Sequence, residues 1–297
     1  MMDNITQGYN ALIERLADWA PRQDSVRAVI LIGSRTRSDH PADEWSDLDV
    51  LLLLRDLPAF VESADWVAPI GTPWLTFVEP TADGRSVERR AMFAGGLDVD
   101  FALFPDEAIQ QMADQGAPPD VLDVFRRGAR VLVDKDGLAT RLLTAAREPA
   151  PPPAPPAERD FLNVVNDFWY HTVWTAKHLR RGELWWAKSG CDERLKYLLR
   201  QMLEWHARAM RGPTCDTWLR GRFLEEWADP RALAALPRSY AHYDSEDVWR
   251  ALLVTMDLFH WISLETAERL GYSYPTFGAD RAAALARTMF AGRPNGR

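Results

Sequence analysis

The feature that most constrains this chain is a Gly-Ser pair closing one apolar run, with an Asp-x-Asp opening the next. The first run reads Val29-Ile30-Leu31-Ile32-Gly33-Ser34-Arg35, the second Ser46-Asp47-Leu48-Asp49-Val50-Leu51-Leu52. Short apolar runs bounded by turn and polar residues read as buried strands. A third carboxylate stands downstream, in Leu97-Asp98-Val99-Asp100-Phe101-Ala102-Leu103-Phe104. The fold must therefore place a tight turn and several carboxylates at the ends of strands of one sheet.

The residue types say what such a place could hold. Glycine lacks a Cβ, so Gly33 lets the backbone turn sharply and come close to a ligand. A short helix starting there would aim free amide groups at a phosphate. The Ser34 hydroxyl would add a donor, and Arg35 or Arg37 a charge. Taken alone, Gly-Ser after a strand is a weak signal, and an ordinary strand-end turn is the better reading of it. Asp47 and Asp49 change the balance. Two residues apart on a strand, they point to one face, where they repel unless a cation joins them. Mg²⁺ suits that position, because it takes a few carboxylates together with phosphate oxygens and water. Asp100 lies deeper in its apolar run, where an unpaired carboxylate is costly. Asp98, nearer the Gly95-Gly96 turn, reads as solvated.

Composition narrows the class. Apolar residues make up 47% of 297, enough for one large core or two ordinary ones. The net charge of −8 argues against a nucleic-acid backbone as partner and suits a cationic small molecule. No apolar run is long enough to span a bilayer. The start, Met1-Met2-Asp3-Asn4, has no basic region leading into an apolar core. No membrane and no signal peptide are expected, and a cytoplasmic setting is. Two cysteines, Cys191 and Cys215, make no disulfide framework and lack zinc-ligand spacing. The six histidines show no metal-site spacing either.

A proline run divides the chain. Six prolines fall within residues 149–156, a stiff spacer that neither helix nor sheet interior tolerates. Residues 1–148 mix two periods. Strand-like runs cover 26–32, 48–54, 74–78, 87–93, 97–104 and 130–133. Helical spacing covers 5–19, 106–113, 119–127 and 137–146. That predicts an α+β domain built on one α/β-type sheet. Residues 157–297 read as helices, with apolar stripes through Phe161–Leu179, Leu195–Ala209 and Val248–Ile262. These predict an all-α bundle. Nine of the 13 tryptophans lie in this half.

On the first helix of that half, Asp167, Tyr170, His171, Trp174, Lys177, His178 and Arg181 recur at three- and four-residue steps, opposite the apolar stripe. A solvated face is the plain reading of such a pattern, but exposed tryptophan is uncommon. A polyhydroxylated cation would want carboxylates and aromatic faces, which Asp167, Glu204, Trp169, Trp174, Trp185 and Trp205 could offer.

The pattern resembles the nucleotidyltransferase superfamily, and within it the streptomycin (aminoglycoside) 6-adenylyltransferase family. The residues that carry the resemblance are Ala28–Thr36, the arm to Asp47-Leu48-Asp49, and Val99–Pro105. Beyond the spacer they are Asn166–Tyr170, Ala176–Leu179, Arg181–Leu184, Ala187-Lys188 and Met202–Trp205. The resemblance covers about residues 1–275. It implies Mg²⁺-dependent transfer of AMP from ATP, the co-substrate, to an aminoglycoside hydroxyl, with release of pyrophosphate and antibiotic resistance as the outcome. It implies that Gly33, Ser34, Arg35, Lys177 and Lys188 bind the nucleotide. Asp47, Asp49 and Asp100 would hold metal, with Asp100 as ligand or as proton acceptor. Asp167, Trp174 and Glu204 would contact the acceptor. Two other readings stay open at this point: the same transfer to a different small molecule or protein side chain, or an idle relative that only binds nucleotide. The chain could act as a monomer or a homodimer.

Overall fold

The computed structural model describes residues 2–82 and 84–293. It divides into two compact units, Met1–Ala150 and Pro151–Arg297.

The first unit is built on six strands: β1 (Val26–Ile32), β2 (Leu48–Leu54), β3 (Leu75–Pro80), β4 (Val87–Phe93), β5 (Leu97–Pro105) and β6 (Arg130–Asp134). Their order across the sheet is β3-β4-β5-β2-β1-β6. β2 and β5 run parallel at the centre, and every other neighbouring pair is antiparallel. Side chains alternate between two covered faces. Val50, Leu52, Val99 and Phe101 face one core, shared with Tyr9, Leu12 and Leu16 of α1 (Met2–Trp19). Ile30, Leu51 and Leu53 face the other, covered by α3 (Asp106–Gln115), α4 (Pro119–Arg127) and α5 (Leu138–Ala146). β2 is buried on both sides, which is why it reads as an unbroken Leu-Val run rather than an alternating one. One short helix, α2 (Leu57–Glu62), has too few residues to show a period in the sequence. Asp56 caps it by accepting from the Ala59 amide.

The six strands agree with the ranges expected from the sequence to within two residues. Residues 149–157 carry no helix or strand.

The second unit is all helix. It contains α6 (Glu158–Arg180), α7 (Leu184–Ser189), α8 (Leu195–Arg211), α9 (Leu224–Trp227), α10 (Pro230–Ser239), α11 (Ser245–Leu270) and α12 (Thr276–Ala291). A single π-helical turn, Gly190–Arg194, joins α7 to α8. Phe161, Val165, Phe168 and Ala176 of α6 meet Leu198, Leu199 and Met202 of α8 and Leu252, Met256 and Phe259 of α11 in one core. At its centre Phe168 and Phe259 lie face to face, with ring centroids 3.6 Å apart. Asp244 caps α11 through the Asp247 amide, and Gly271 ends it in a left-handed conformation. Cys191 is buried in this core and its thiol is pushed up to about 11 by that burial. No described helix is long and apolar enough to cross a membrane.

Candidate active site

The register of three strands builds the acidic site. Asp49 lies opposite Ile32 on one side and opposite Asp100 on the other. Asp49 and Asp100 therefore share a row at the end of the sheet where β1 gives way to the Gly33 turn. Asp47 precedes β2 by one residue and projects to the same side. One carboxylate oxygen from each of Asp47, Asp49 and Asp100 falls within 4.8 Å of the other two. All three groups are half-buried.

Gly33 bends the chain away from the sheet with φ +73. Gly33–Arg35 form one tight turn rather than the start of a longer helix. The turn is pinned from several directions. Thr36 Oγ1 donates to the carbonyls of Gly33 (3.0 Å) and Gly128 (2.9 Å). Arg35 donates from Nε to the Asp47 carbonyl (2.9 Å) and from Nη2 to the Ser46 carbonyl (2.6 Å). Its guanidinium also stacks 3.5 Å above the Tyr9 ring. Arg35 thus ties the turn to the start of β2 and fixes the distance between the two halves of the sequence signature. Ser34 is 8% exposed, and its hydroxyl has no hydrogen-bond partner among the described residues. A buried hydroxyl without a partner is destabilising unless a ligand supplies one.

Asp98 is half-buried and engaged by a side chain, rather than simply solvated as its place near the turn implied. Tyr9 donates to its Oδ1 at 3.0 Å and accepts from its backbone amide at 3.2 Å. Burial and that carboxylate together push the Tyr9 phenol up to about 12. Tyr9 of α1 brings the two ends of this arrangement, Asp98 and Arg35, onto one ring.

The Asp100 side chain is 12% exposed. Burial pushes its carboxyl up to about 6; repulsion from Asp47 adds to that, and Arg90 opposes it. Arg90 is the residue that sequence reasoning missed. It stands opposite Asp100 in the β4–β5 register, with Nη1 3.1 Å from Asp100 Oδ2. Its other atoms reach Glu79 on β3 (2.5 Å) and Glu88 on β4 (2.8 Å). Arg89 beside it points to the opposite face and donates to the Val61 carbonyl at 2.6 Å. Only the strand alternation separates the roles of these two arginines, and only the register shows which one meets Asp100.

The remaining residues lie in the helical unit. Asp167 on α6 pairs with Arg194, and His171 Nδ1 lies 2.6 Å from its Oδ1. Trp174 packs its ring 4.0 Å from His178 and 5.5 Å from Trp186. Lys177 is exposed. Lys188 pairs with Asp192 and donates to the Ala241 carbonyl at 2.7 Å. It lines a hollow of about 310 Å³ together with Trp185, Ser189, Asp192, Glu193 and Tyr243. Glu204 on α8 pairs with Arg200; burial pushes its carboxyl up and Arg200 pulls it back. Arg194 and Arg200 stand six residues apart, about 9 Å along a helix, so Asp167 and Glu204 engage different stretches of this segment. Trp185 is 72% exposed and Trp186 is 55% exposed, whereas Trp169 is buried in the core.

The donor set suits a small hard cation and a phosphate. Three carboxylates converge within reach of one ion. Beside them the turn holds an unpartnered hydroxyl, next to a backbone position too close to Asp49 for any side chain.

The chain is similar to several known proteins. Aminoglycoside 6-adenylyltransferase of Bacillus subtilis (strain 168) is 25% identical over 272 residues, covering 90% of this chain and 92% of that one. The protein of the same name from Campylobacter jejuni is 23% identical over 275 residues, covering 88% of each chain. A crystal structure of an aminoglycoside 6-adenyltransferase from Bacillus subtilis aligns over 95% of this chain and 98% of its own, at 18% identity and TM-score 0.45. Residues 7–287 match the streptomycin adenylyltransferase family. The chain belongs to that family, and is a nucleotidyltransferase.

Proposed function

We infer that the protein transfers AMP from ATP to a hydroxyl of an aminoglycoside, with streptomycin as the first acceptor to test, and releases pyrophosphate. The observation that carries this reading is the convergence of Asp47, Asp49 and Asp100 beside the Gly33 turn and its unpartnered Ser34 hydroxyl. The names of the relatives support the choice of acceptor class.

In this reading Ser34 and the turn backbone hold the phosphates, and Arg35 keeps the turn at its working distance from β2. Asp47, Asp49 and Asp100 would hold Mg²⁺, which supplies charge neutralisation to the phosphates when bound. The acceptor oxygen forms a bond to the α-phosphorus as the bond from that phosphorus to the β-phosphate oxygen breaks. The hydroxyl proton leaves to Asp100 or through it to water. Lys177 and Lys188 neutralise charge on the triphosphate and the departing pyrophosphate. Asp167, Trp174 and Glu204 receive the cationic acceptor through carboxylate and ring contacts. Phosphoryl-type transfer depends chiefly on positioning and charge stabilisation, so a site of this kind needs few reactive groups of its own.

The test is incubation of the purified protein with Mg²⁺, ATP and a panel of aminoglycosides, reading pyrophosphate and product mass. Streptomycin heavier by one AMP, absent with Asp49→Asn, is the expected result. Pyrophosphate release without a modified aminoglycoside would move the acceptor elsewhere, and no release with any acceptor would overturn the reading.

A further inference from the structure

Arg90 lies in a row that crosses four strands. Moving across the sheet at one level, the register pairs Phe77 of β3 with Arg90 of β4, Arg90 with Asp100 of β5, and Asp100 with Asp49 of β2. Glu79 and Glu88, also opposite each other, occupy the next level on the same face. The Arg90 side chain, 41% exposed, is paired with both glutamates, which bias the direction of its guanidinium. Its remaining nitrogen, Nη1, reaches Asp100. A planar fork fixed at two corners presents its third in a defined direction.

This grip acts on the acidic site in two ways. The first is geometric. A carboxylate gripped at Oδ2 keeps its plane, so the rest of the group faces Asp47 and Asp49 in one orientation. The second is electrostatic. Arg90 brings a positive charge to Asp100 of the three-carboxylate cluster, and it competes with any added cation for that carboxylate.

We propose that Arg90 is a positioning residue for nucleotidyl transfer: anchored by Glu79 and Glu88, it orients Asp100 toward the metal and acceptor, while holding metal affinity below what three bare carboxylates would give. This rests on the proposed function for its kinetic arm only; its metal-binding arm stands without it. A merely structural arginine would weaken fold, metal binding and turnover together. A positioning arginine separates them.

The experiment compares Arg90→Met and Arg90→Lys with the parent chain in Mn²⁺ binding without nucleotide, steady-state kinetics with Mg²⁺, ATP and streptomycin, and thermal unfolding. Arg90→Met removes the competing charge, so Mn²⁺ binds about threefold or more tighter, while kcat falls about tenfold or more because Asp100 loses its orientation. Arg90→Lys keeps the charge without the fork, so Mn²⁺ affinity stays within about twofold while kcat still falls. Unchanged kcat in both variants, or weaker Mn²⁺ binding in step with a lower Tm, would overturn the proposal. If Arg90→Met does not fold, Glu79→Gln loosens the same guanidinium from a half-exposed position, and a kcat loss with Mn²⁺ affinity retained or tightened is expected. If the parent modifies no acceptor, the proposed function fails, and the Mn²⁺ comparison alone decides the role of Arg90.

Discussion

A Cβ placed on Gly33 would lie 1.9 Å from Asp49 Oδ2, so the turn and the acidic pair occupy the same few ångströms. The glycine is required twice over. Its φ of +73 is a conformation that side chains disfavour, and the space beside it is already filled by a carboxylate. Gly33→Ala should therefore displace Asp49 and cost about 1–3 kcal/mol in stability. The expected outcome is a lower Tm together with loss of Mn²⁺ binding. A variant that keeps both would show that the turn has room to relax.

Ser34 should behave in the opposite way. Its hydroxyl is buried and donates to no protein atom, so Ser34→Ala removes no internal hydrogen bond. The metal-free protein should unfold at the same temperature or slightly higher, because an unsatisfied group has gone. If the hydroxyl meets a phosphate, KM for ATP should rise about tenfold, the worth of one hydrogen bond to a charged group. Kinetics and calorimetry on one preparation check both halves. A fall in Tm with KM unchanged would assign the hydroxyl to the fold.

Much of this arrangement was legible in the sequence, and the reasons are specific. The Gly33-Ser34 turn and Asp47-x-Asp49 are punctuated by apolar runs long enough to mark strands. β2 is buried on both faces, so its boundaries show as a change from polar to apolar. Asp100 stood out because it interrupts an apolar run. Arg90 did not stand out. It sits in Val87-Glu88-Arg89-Arg90-Ala91, an ordinary polar strand, and its meaning comes from lying opposite Asp100 across a β-pairing. Side-chain period can be read along one strand, but register between strands depends on turns and long-range packing. Asp98 failed for a related reason: its partner, Tyr9, stands 89 residues earlier on α1. In the helical unit the apolar stripes identified the core well. The sequence did not separate a carboxylate already engaged by an arginine, as Glu204 is by Arg200, from one open to a ligand.

The acidity of Asp100 makes a prediction about stability without metal. Burial raises its carboxyl from the ordinary 3.8 to about 6 in the folded protein. Below the lower value both folded and unfolded chains carry the proton, and the group costs nothing. As pH rises from there toward 6 the unfolded chain ionises first, so stability is lost; above 6 the cost is constant. In the presence of a chelator, Asp100→Asn should be more stable than the parent at pH 7.5, by about 2 kcal/mol after allowing for partial exposure, and the gap should shrink to about 0.5 kcal/mol near pH 4. Adding Mn²⁺ should then raise the parent's Tm more than the variant's. Denaturant titrations at the two pH values check the sign, and equal stability at both would mean that the carboxylate is better solvated than its position implies.

Asp167 offers a cleaner test of acceptor binding than Trp174, because an isosteric change there keeps the packing, although it weakens the pairs with Arg194 and His171. Trp174 packs against Gly190, where an added Cβ would lie 2.7 Å from its ring, so truncating it opens a gap between α6 and the turn after α7. Asp167 pairs with Arg194, whose side chain is 44% exposed, and solvent-screened pairs contribute about 0–1 kcal/mol. Asp167→Asn keeps the volume and removes one negative charge. Its Tm should fall by no more than a few degrees, the effect of about 1 kcal/mol. KM for a cationic aminoglycoside should rise about tenfold, as a charge-assisted contact is lost, while KM for ATP stays within about twofold. The rise should shrink with increasing salt, because screening weakens the parent's contact and leaves the variant's nearly unchanged. Equal rises for ATP and acceptor would place Asp167 in general closure of the site, and no rise for either would remove it from the acceptor contacts and leave the aromatic residues of α6 and α7 as that surface.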